Sequence, residues 1–391
     1  MTNILKPFEK FVQIEASSGL ILMFSALIAL FIANSNFAEL YFSLLHYNFW
    51  GLTLHQWVND GLMTIFFFLM GMEIKRELLV GELSSPQKAA LPIVAAMGGM
   101  VVPAAIYYFF NSNDVSNLHG WGIPMATDIA FALGVLSLFG KRVPVSLKVF
   151  LLALAIVDDL GAVLVIAFFY TEKISGQYLG LGALVFGLIN LSRIAGVRSY
   201  FVYVVLGSVI WVAFMFSGVH ATIAGVILGF MTPLKFPVKK KSDARYSPLE
   251  YLVHLLHPWV SFGIMPLFAL ANTGIDLRGI EFTKIIFNPI HQGVALGLIF
   301  GKSIGIMATC FIAERLKIAI LPEKLKLRNF LGISFLAGIG FTMSLFISEL
   351  ALKPDQELYS KTGILLGSLC SAIIGAILIY ITAPKMYIKD Q

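Results

Sequence analysis

Two aspartates stand side by side where the surrounding residues leave least room for charge. Asp158 and Asp159 follow Ala153-Leu154-Ala155-Ile156-Val157 and precede Leu160-Gly161-Ala162, and the apolar run continues well beyond on both sides. A spanning helix needs about 20 mostly apolar residues, so the pair sits mid-span. There an ionised side chain costs ~2.5–3.5 kcal/mol on insertion scales. Adjacent helix residues point about 100° apart, so the two carboxylates cannot grip one partner from one direction, but both reach a single polar cavity. When both are ionised they repel, and desolvation adds to that cost. A proton relieves it, and so does a hard cation such as Na+ or Li+, which suits oxygen ligands. Proton and cation then compete for the same oxygens, the minimum requirement for exchanging one for the other. A static ion pair for helix packing is the blander reading, although one carboxylate would suffice for it.

Three more sites break the apolar pattern. Lys302 lies in Leu296-Gly297-Leu298-Ile299-Phe300-Gly301-Lys302-Ser303, also mid-span. Its nearest counter-charges by depth are Asp158 and Asp159, either as a pair that opens when a cation arrives or as a fixed balance. In Gly122-Ile123-Pro124-Met125-Ala126-Thr127-Asp128, a proline precedes a Thr-Asp pair. Thr and Asp oxygens accept the orphan N–H groups of helix N-termini. The segment therefore reads as a helix that stops and restarts within the membrane, with Asp128 at the positive end of the second half. A second interruption falls at Ala337-Gly338-Ile339-Gly340-Phe341-Thr342-Met343-Ser344. Gly338 and Gly340 break the helix and Thr342 or Ser344 caps its restart, or the glycines serve close helix packing.

The elements that carry these residues follow from composition. Of the 391 residues 58% are hydrophobic and 13% charged, about half the charge of a soluble domain. Lipid offers the backbone no hydrogen bonds, so spans must be helices or closed barrels, and long runs without alternation exclude the barrel. Apolar periods and breakers predict an all-α integral membrane protein of about twelve transmembrane helices. The spans fall near 12–33, 56–74, 89–110, 121–139, 145–170, 177–192, 200–216, 218–233, 250–273, 290–313, 328–350 and 361–383. Only Phe216-Ser217-Gly218 divides the seventh from the eighth. The first apolar run reads as a retained helix and not as a cleaved signal. Cys310 and Cys370 lie in apolar runs and read as small packing residues.

Lys and Arg gather in cytoplasmic loops. Twenty-two of the 28 fall in one alternate set of loops and five in the other, with Lys302 left within a span. This predicts both termini inside and an even number of spans. It also accounts for the net charge of +6 without invoking nucleic acid. The two interrupted segments, near 122–128 and 338–344, each occupy the middle of a three-span group, about 89–170 and 290–383. The two cross in opposite senses, the pattern of inverted repeats around a transporter's midplane site. Crossed breaks bring like dipole ends together, and Asp128 and Lys302 are placed to offset the positive and negative ends. Between the first two spans, 45–54 (Leu45-His46-Tyr47-Asn48-Phe49-Trp50-Gly51-Leu52-Thr53-Leu54) reads either as an external β-hairpin or as an interfacial aromatic belt.

Five motifs carry a resemblance to a known family. They are Phe67-Phe68-Leu69-Met70-Gly71-Met72-Glu73-Ile74-Lys75-Arg76-Glu77-Leu78, Ala126-Thr127-Asp128-Ile129-Ala130-Phe131-Ala132-Leu133-Gly134, Asp158-Asp159-Leu160-Gly161, Ser217-Gly218-Val219-His220-Ala221-Thr222, and Gly338 to Ser344 as quoted above. With them the chain resembles, over nearly its whole length, the NhaA family of bacterial sodium/proton antiporters. That family is itself a standard example of inverted repeats with broken helices. The resemblance implies one transmembrane transporter domain over 1–391, multi-pass in the bacterial cytoplasmic membrane. It implies electrogenic expulsion of one Na+ or Li+ for more than one proton by alternating access, activated at alkaline pH, with no cofactor and no enzymatic activity. Asp158 and Asp159 match the family's cation- and proton-binding aspartates, Lys302 its intramembrane lysine, and Thr127 and Asp128 its broken-helix pair. A homodimer through the external hairpin is expected.

Glu73, Arg76, Glu77, His254 and His257 match the family's pH-sensing region, and His220 is a further pH-response candidate. Each also has a bland reading: a juxtamembrane charge cluster, interfacial anchors, a packing histidine. One position departs from the family. Val253 stands where an acidic residue is expected before the first of the paired histidines, and Glu250 lies nearly one turn earlier. Two rivals fit less well. An aspartyl protease needs two carboxylates facing across a gap, which adjacent residues on one helix cannot do. An organic-anion symporter needs a basic pocket, and only Lys302 is available.

Overall fold

The computed structural model describes residues 2–171, 174–196, 200–234, 247–319, 321 and 325–382. The basic run Lys239-Lys240-Lys241 and Arg245, with Lys173, Arg198, Lys235, Lys324, Lys385 and Lys389, lies outside them.

Helix α1 (Thr2–Ala33) turns through 115° into α2 (Ala38–Leu45). An antiparallel ribbon follows, β1 (Asn48–Phe49) and β2 (Leu52–Thr53), pairing Asn48 with Thr53 and Phe49 with Leu52. Its two-residue turn holds Trp50 and Gly51 at φ of 55° and 85°, as a hairpin turn with two left-handed residues requires. A π-helical turn, Trp57–Leu62, leads into α3 (Met63–Val80). Next come α4 (Pro86–Asn111), a 3-10 stretch His119–Met125, α5 (Ile129–Ser137) and α6 (Val145–Phe169). They are followed by α7 (Gly176–Ile194), α8 (Tyr200–Ser217) and α9 (Ala221–Met231). A π turn, Val260–Ile264, joins α10 (Pro248–Trp259) to α11 (Met265–Asn272). Another, Gly297–Gly301, joins α12 (Pro289–Leu296) to α13 (Lys302–Arg315). The chain closes with α14 (Phe330–Ala337), α15 (Phe341–Ala351) and α16 (Pro354–Thr382).

Among the described residues, six helices or joined pairs are long and apolar enough to cross a membrane, and three further pairs qualify together across a bend. The shorter apolar helices α8 and α9, and α3, lie where the other three spans were expected. The bends fall where breaks were expected, 42° before Ile129 and 50° before Phe341. The boundaries that differ most from expectation are two helix starts. α1 begins at Thr2, and α16 begins at Pro354, where a proline at the first helical turn followed by Asp355 and Glu357 favours a helix start. The expected limit at 361 was set by hydropathy alone.

Burial runs opposite to that of a water-soluble protein. Phe31 and Phe168 are 75% and 77% exposed, whereas Asp158, Lys302 and Thr342 are essentially sealed. Apolar rings face outward and charge faces inward, as lipid surroundings demand.

The chain divides into two compact units, one of residues 1–42, 80–162 and 265–391, the other of 43–79 and 163–264. In the first, α4 lies along α12 and α13, α1 along α5 and α11, and α16 along α12 and α14. Gly98 and Gly305 meet reciprocally, since a Cβ on either would strike the other's carbonyl. In the second, α8 packs on α7 and α9. Gly71, Gly225 and Gly229 bring α3 and α9 into backbone contact. Lys75 Nζ donates to the carbonyls of Phe230 and Thr232, both at 2.7 Å, at the negative end of α9. The Trp211 indole donates to the Asp60 carbonyl, 3.0 Å, within the first π turn.

Candidate functional site

All of the site lies in the first unit. The 3-10 stretch ends at Met125, and Ala126 to Asp128 run extended before α5 begins. Helix α14 ends at Ala337 and α15 begins at Phe341. These two breaks cross: the Asp128 N–H donates to the Ile339 carbonyl at 2.7 Å. Two helix N-termini and two C-terminal ends therefore meet away from water, and each brings unsatisfied N–H or C=O groups.

One carboxylate serves both positive ends. Asp128 Oδ1 accepts from the Phe131 N–H, 3.0 Å, as the N-cap of its own helix α5. Asp128 Oδ2 accepts from the N–H and hydroxyl of Thr342, at 3.1 and 2.5 Å, at the start of α15. The negative ends receive hydroxyls and the ammonium. Thr127 Oγ1 lies 2.8 Å from the Ala337 carbonyl, and Ser344 Oγ donates to the Ile123 carbonyl at 2.7 Å. Lys302 Nζ donates to the Met125 carbonyl. Both readings of the second glycine pair hold at once. The helix breaks at Gly338, and a Cβ there would strike the Leu298 carbonyl and the Ser371 hydroxyl.

Asp158 touches this crossing from α6. Its Oδ2 accepts from Lys302 Nζ at 2.6 Å, an ion pair with both side chains fully buried. Thr127 Oγ1 stands 2.7 Å from the same oxygen. The Thr127 hydroxyl has a single proton, so it serves Asp158 or Ala337 but not both at once. Asp158 Oδ1 is buried and has no hydrogen-bond partner among the described residues. A carboxylate oxygen left in that state is costly, and a proton or a hard cation is what would satisfy it. Asp159, 4% exposed, follows on the same helix, and its charge also acts on the Lys302 ammonium. A carboxylate, a hydroxyl and backbone carbonyls meet at the crossing, and oxygen donors of this kind suit a hard cation.

The structure thus brings together Thr127, Asp128, Asp158, Lys302, Gly338 and Gly340, with Asp159 one residue along. The pH-response candidates belong to the second unit. Arg76 and Glu77 pair at 3.4 Å, and Glu73 is half-buried on the same helix. His254 is exposed whereas His257 is buried. The two present differently because α10 turns its Val253–His257 edge inward. Val253, 4% exposed, occupies that edge, while Glu250 sits exposed in the first turn of α10. His220 precedes α9, and its Nε2 lies 2.7 Å from the Tyr170 carbonyl, so that nitrogen carries the proton and donates.

Three groups at the site were not singled out from sequence. The Met125 carbonyl and the π turn before Lys302 carry no side-chain signal. Ser368, whose hydroxyl accepts from the Phe341 N–H at 3.1 Å, looks like one small residue among several. Only its spacing, Gly367-Ser368 with Ser371 one turn on, hints at a polar face.

A many-spanning helical membrane protein whose broken helices cross beside a buried ion pair falls in the class of secondary transporters. Comparison with known proteins narrows the class. Residues 9–379 match the family model described as Na+/H+ antiporter 1. The chain is 46% identical over 388 residues to the Na+/H+ antiporter NhaA of Vibrio parahaemolyticus, covering 98% of this chain and 99% of that one. It is 47% identical, with the same coverage, to the NhaA of Aliivibrio salmonicida. The NhaA of Vibrio campbellii is 46% identical over 393 residues, covering 100% of this chain and 98% of that one. The chain belongs to the Na+/H+ antiporter 1 family.

Proposed function

We propose that this protein expels Na+ or Li+ in exchange for more than one proton by alternating access, with Asp158 and Asp159 as the shared cation and proton site. The observation that carries the reading is the state of Asp158. One of its oxygens is held by Lys302 and Thr127, and the other is buried without a donor. A cation arriving there engages the open oxygen and the Asp159 carboxylate and displaces the Lys302 ammonium from its pair. The proton on Asp159 and one proton of the displaced Lys302 ammonium leave as the cation binds, and the return passage reloads both. A single positive charge that takes the place of more than one proton leaves charge uncompensated in each cycle, so the exchange is electrogenic. Asp128 and Lys302 hold the crossed helix ends in place throughout, and Gly338 and Gly340 let the second break pack there.

The same reading takes the whole chain as one transporter domain in the bacterial cytoplasmic membrane, with inverted repeats near 89–170 and 290–383 and both termini in the cytoplasm. The reciprocal Gly98–Gly305 contact supports it, because the first helices of the two repeats meet there through like residues. It further assigns alkaline activation to Glu73, Arg76, Glu77, His254, His257 and His220. The ribbon at Asn48–Thr53, with Trp50 88% exposed at its tip, is assigned to an external homodimer contact. No resident cofactor enters the cycle. The test is direct: purified protein in vesicles bearing a proton gradient, challenged with Na+, Li+ or K+ at several pH values. Dissipation by Na+ and Li+ at alkaline pH supports antiport, and a gradient that no cation disturbs excludes it.

A further inference from the structure

Helix α15 differs from α5 in how its N-terminus is capped. The N-cap of α5 is Asp128, which closes its own first turn. The N-cap of α15 is Gly340, which has no side chain to close anything. A serine there has no room, because even a Cβ on Gly340 would strike the Ser344 hydroxyl. The orphan donors of α15 are therefore met from other elements. Asp128 takes the Thr342 N–H, while the Ser344 N–H makes the helix's own first bond, to the Gly340 carbonyl at 2.9 Å. The first donor, the Phe341 N–H, goes to Ser368 Oγ on α16, 3.1 Å away and 4% exposed. One turn further along α16, Ser371 Oγ lies 3.4 Å from the Leu298 carbonyl, inside the π turn that ends at Lys302. Ser368 and Ser371 thus form one polar face directed at both the second break and the lysine-bearing element.

We propose that Ser368 is a positioning residue for cation binding, supplying in trans the cap that α15 lacks and so keeping Asp128 free to serve both helix ends. Without it the Phe341 N–H is left with an uncompensated partial positive charge. That charge repels a cation nearby. It also competes with Thr342 for Asp128 Oδ2, and Asp128 adjoins Thr127, which contacts Asp158. Both effects weaken cation binding more than they slow the exchange step. The proposal rests on the antiport reading for its transport consequence, whereas the cap itself is testable without transport.

The experiment compares wild type, Ser368→Ala and Ser368→Thr. In vesicles at alkaline pH, Ser368→Ala is expected to raise the apparent KM for Na+ roughly two- to fivefold, the range of a helix-end charge interaction, with maximal rate near wild type. Ser368→Thr, which keeps the hydroxyl, restores the KM. In parallel, hydrogen–deuterium exchange of the segment 339–345 is expected to quicken in Ser368→Ala and to stay slow in Ser368→Thr. Unchanged amide exchange in a folded Ser368→Ala protein overturns the cap. Faster exchange with an unchanged KM, or a fall in maximal rate alone, overturns the positioning role. Wild type that exchanges no cation contradicts antiport and leaves the cap to be decided by the amide measurement.

Discussion

At the scale of residues, the centre is a balance of charges that would each be costly alone. Asp158 and Lys302 are both sealed from solvent and stand 2.6 Å apart. Removing one member of a buried pair leaves the other uncompensated and typically costs about 3–5 kcal/mol, whereas removing both can be nearly neutral. Lys302→Met is therefore expected to lower the melting temperature of the purified protein sharply, and Lys302→Met with Asp158→Asn to recover most of the loss without recovering transport. Additive losses in the double variant would mean that the pair is not coupled. The need for a counter-charge to Lys302 was legible in the sequence, because a lysine mid-span needs an acid at its own depth. The role of Asp128 at the positive helix ends was legible too, but the partner it takes at the second end was not. The second end belongs to Thr342, more than two hundred positions away, and only tertiary structure brings it there.

At the scale of elements, breaks could be read where residue chemistry enforces them. Pro124 with Thr127-Asp128, and Gly338 with Gly340, mark both interruptions because proline lacks an amide donor and glycine weakly holds a helix. The three π turns, Trp57–Leu62, Val260–Ile264 and Gly297–Gly301, left no such mark. A π turn is one extra residue in a helix, and its sequence looks like any other apolar turn. Reciprocal glycine contacts are likewise visible only in the fold. At Gly98 and Gly305 the two backbones touch, so Gly305→Val must part α4 from α13. It is expected to lower the melting temperature by several degrees. Gly187→Ala, with nothing within 4 Å of the added methyl, should not lower it. Equal behaviour of the two variants would show that the contact does not hold the first unit together.

At the scale of the whole molecule, the proposed alkaline activation needs groups that change charge in that range, and not every titrating group does. Asp276, in the loop after α11, has its carboxyl held down to about 2 by hydrogen bonds from Arg278. A carboxylate depressed in the folded state contributes stability above its ordinary range and loses it as pH falls toward 2. That contribution is constant through the alkaline range, so the proposed response would have to arise elsewhere. The inward edge of α10 is one place to look. Val253 and His257 lie there a turn apart, and Val253→Glu would set a carboxylate beside the buried histidine. The variant is expected to shift the pH–activity curve for Na+ exchange, and a curve that stays in place would remove this edge from any sensor. The positions of the apolar helices were legible from hydropathy. The different exposure of His254 and His257 was not, because it depends on what α10 packs against.

The central claim is that Asp158 and Asp159 exchange a cation for protons. Its most direct test is cation-driven dissipation of a proton gradient in vesicles at alkaline pH, wild type against Asp159→Asn. Na+ and Li+ are expected to collapse the gradient with wild type, whereas Asp159→Asn inserts normally but leaves it intact. Full exchange by Asp159→Asn would place the ion site elsewhere.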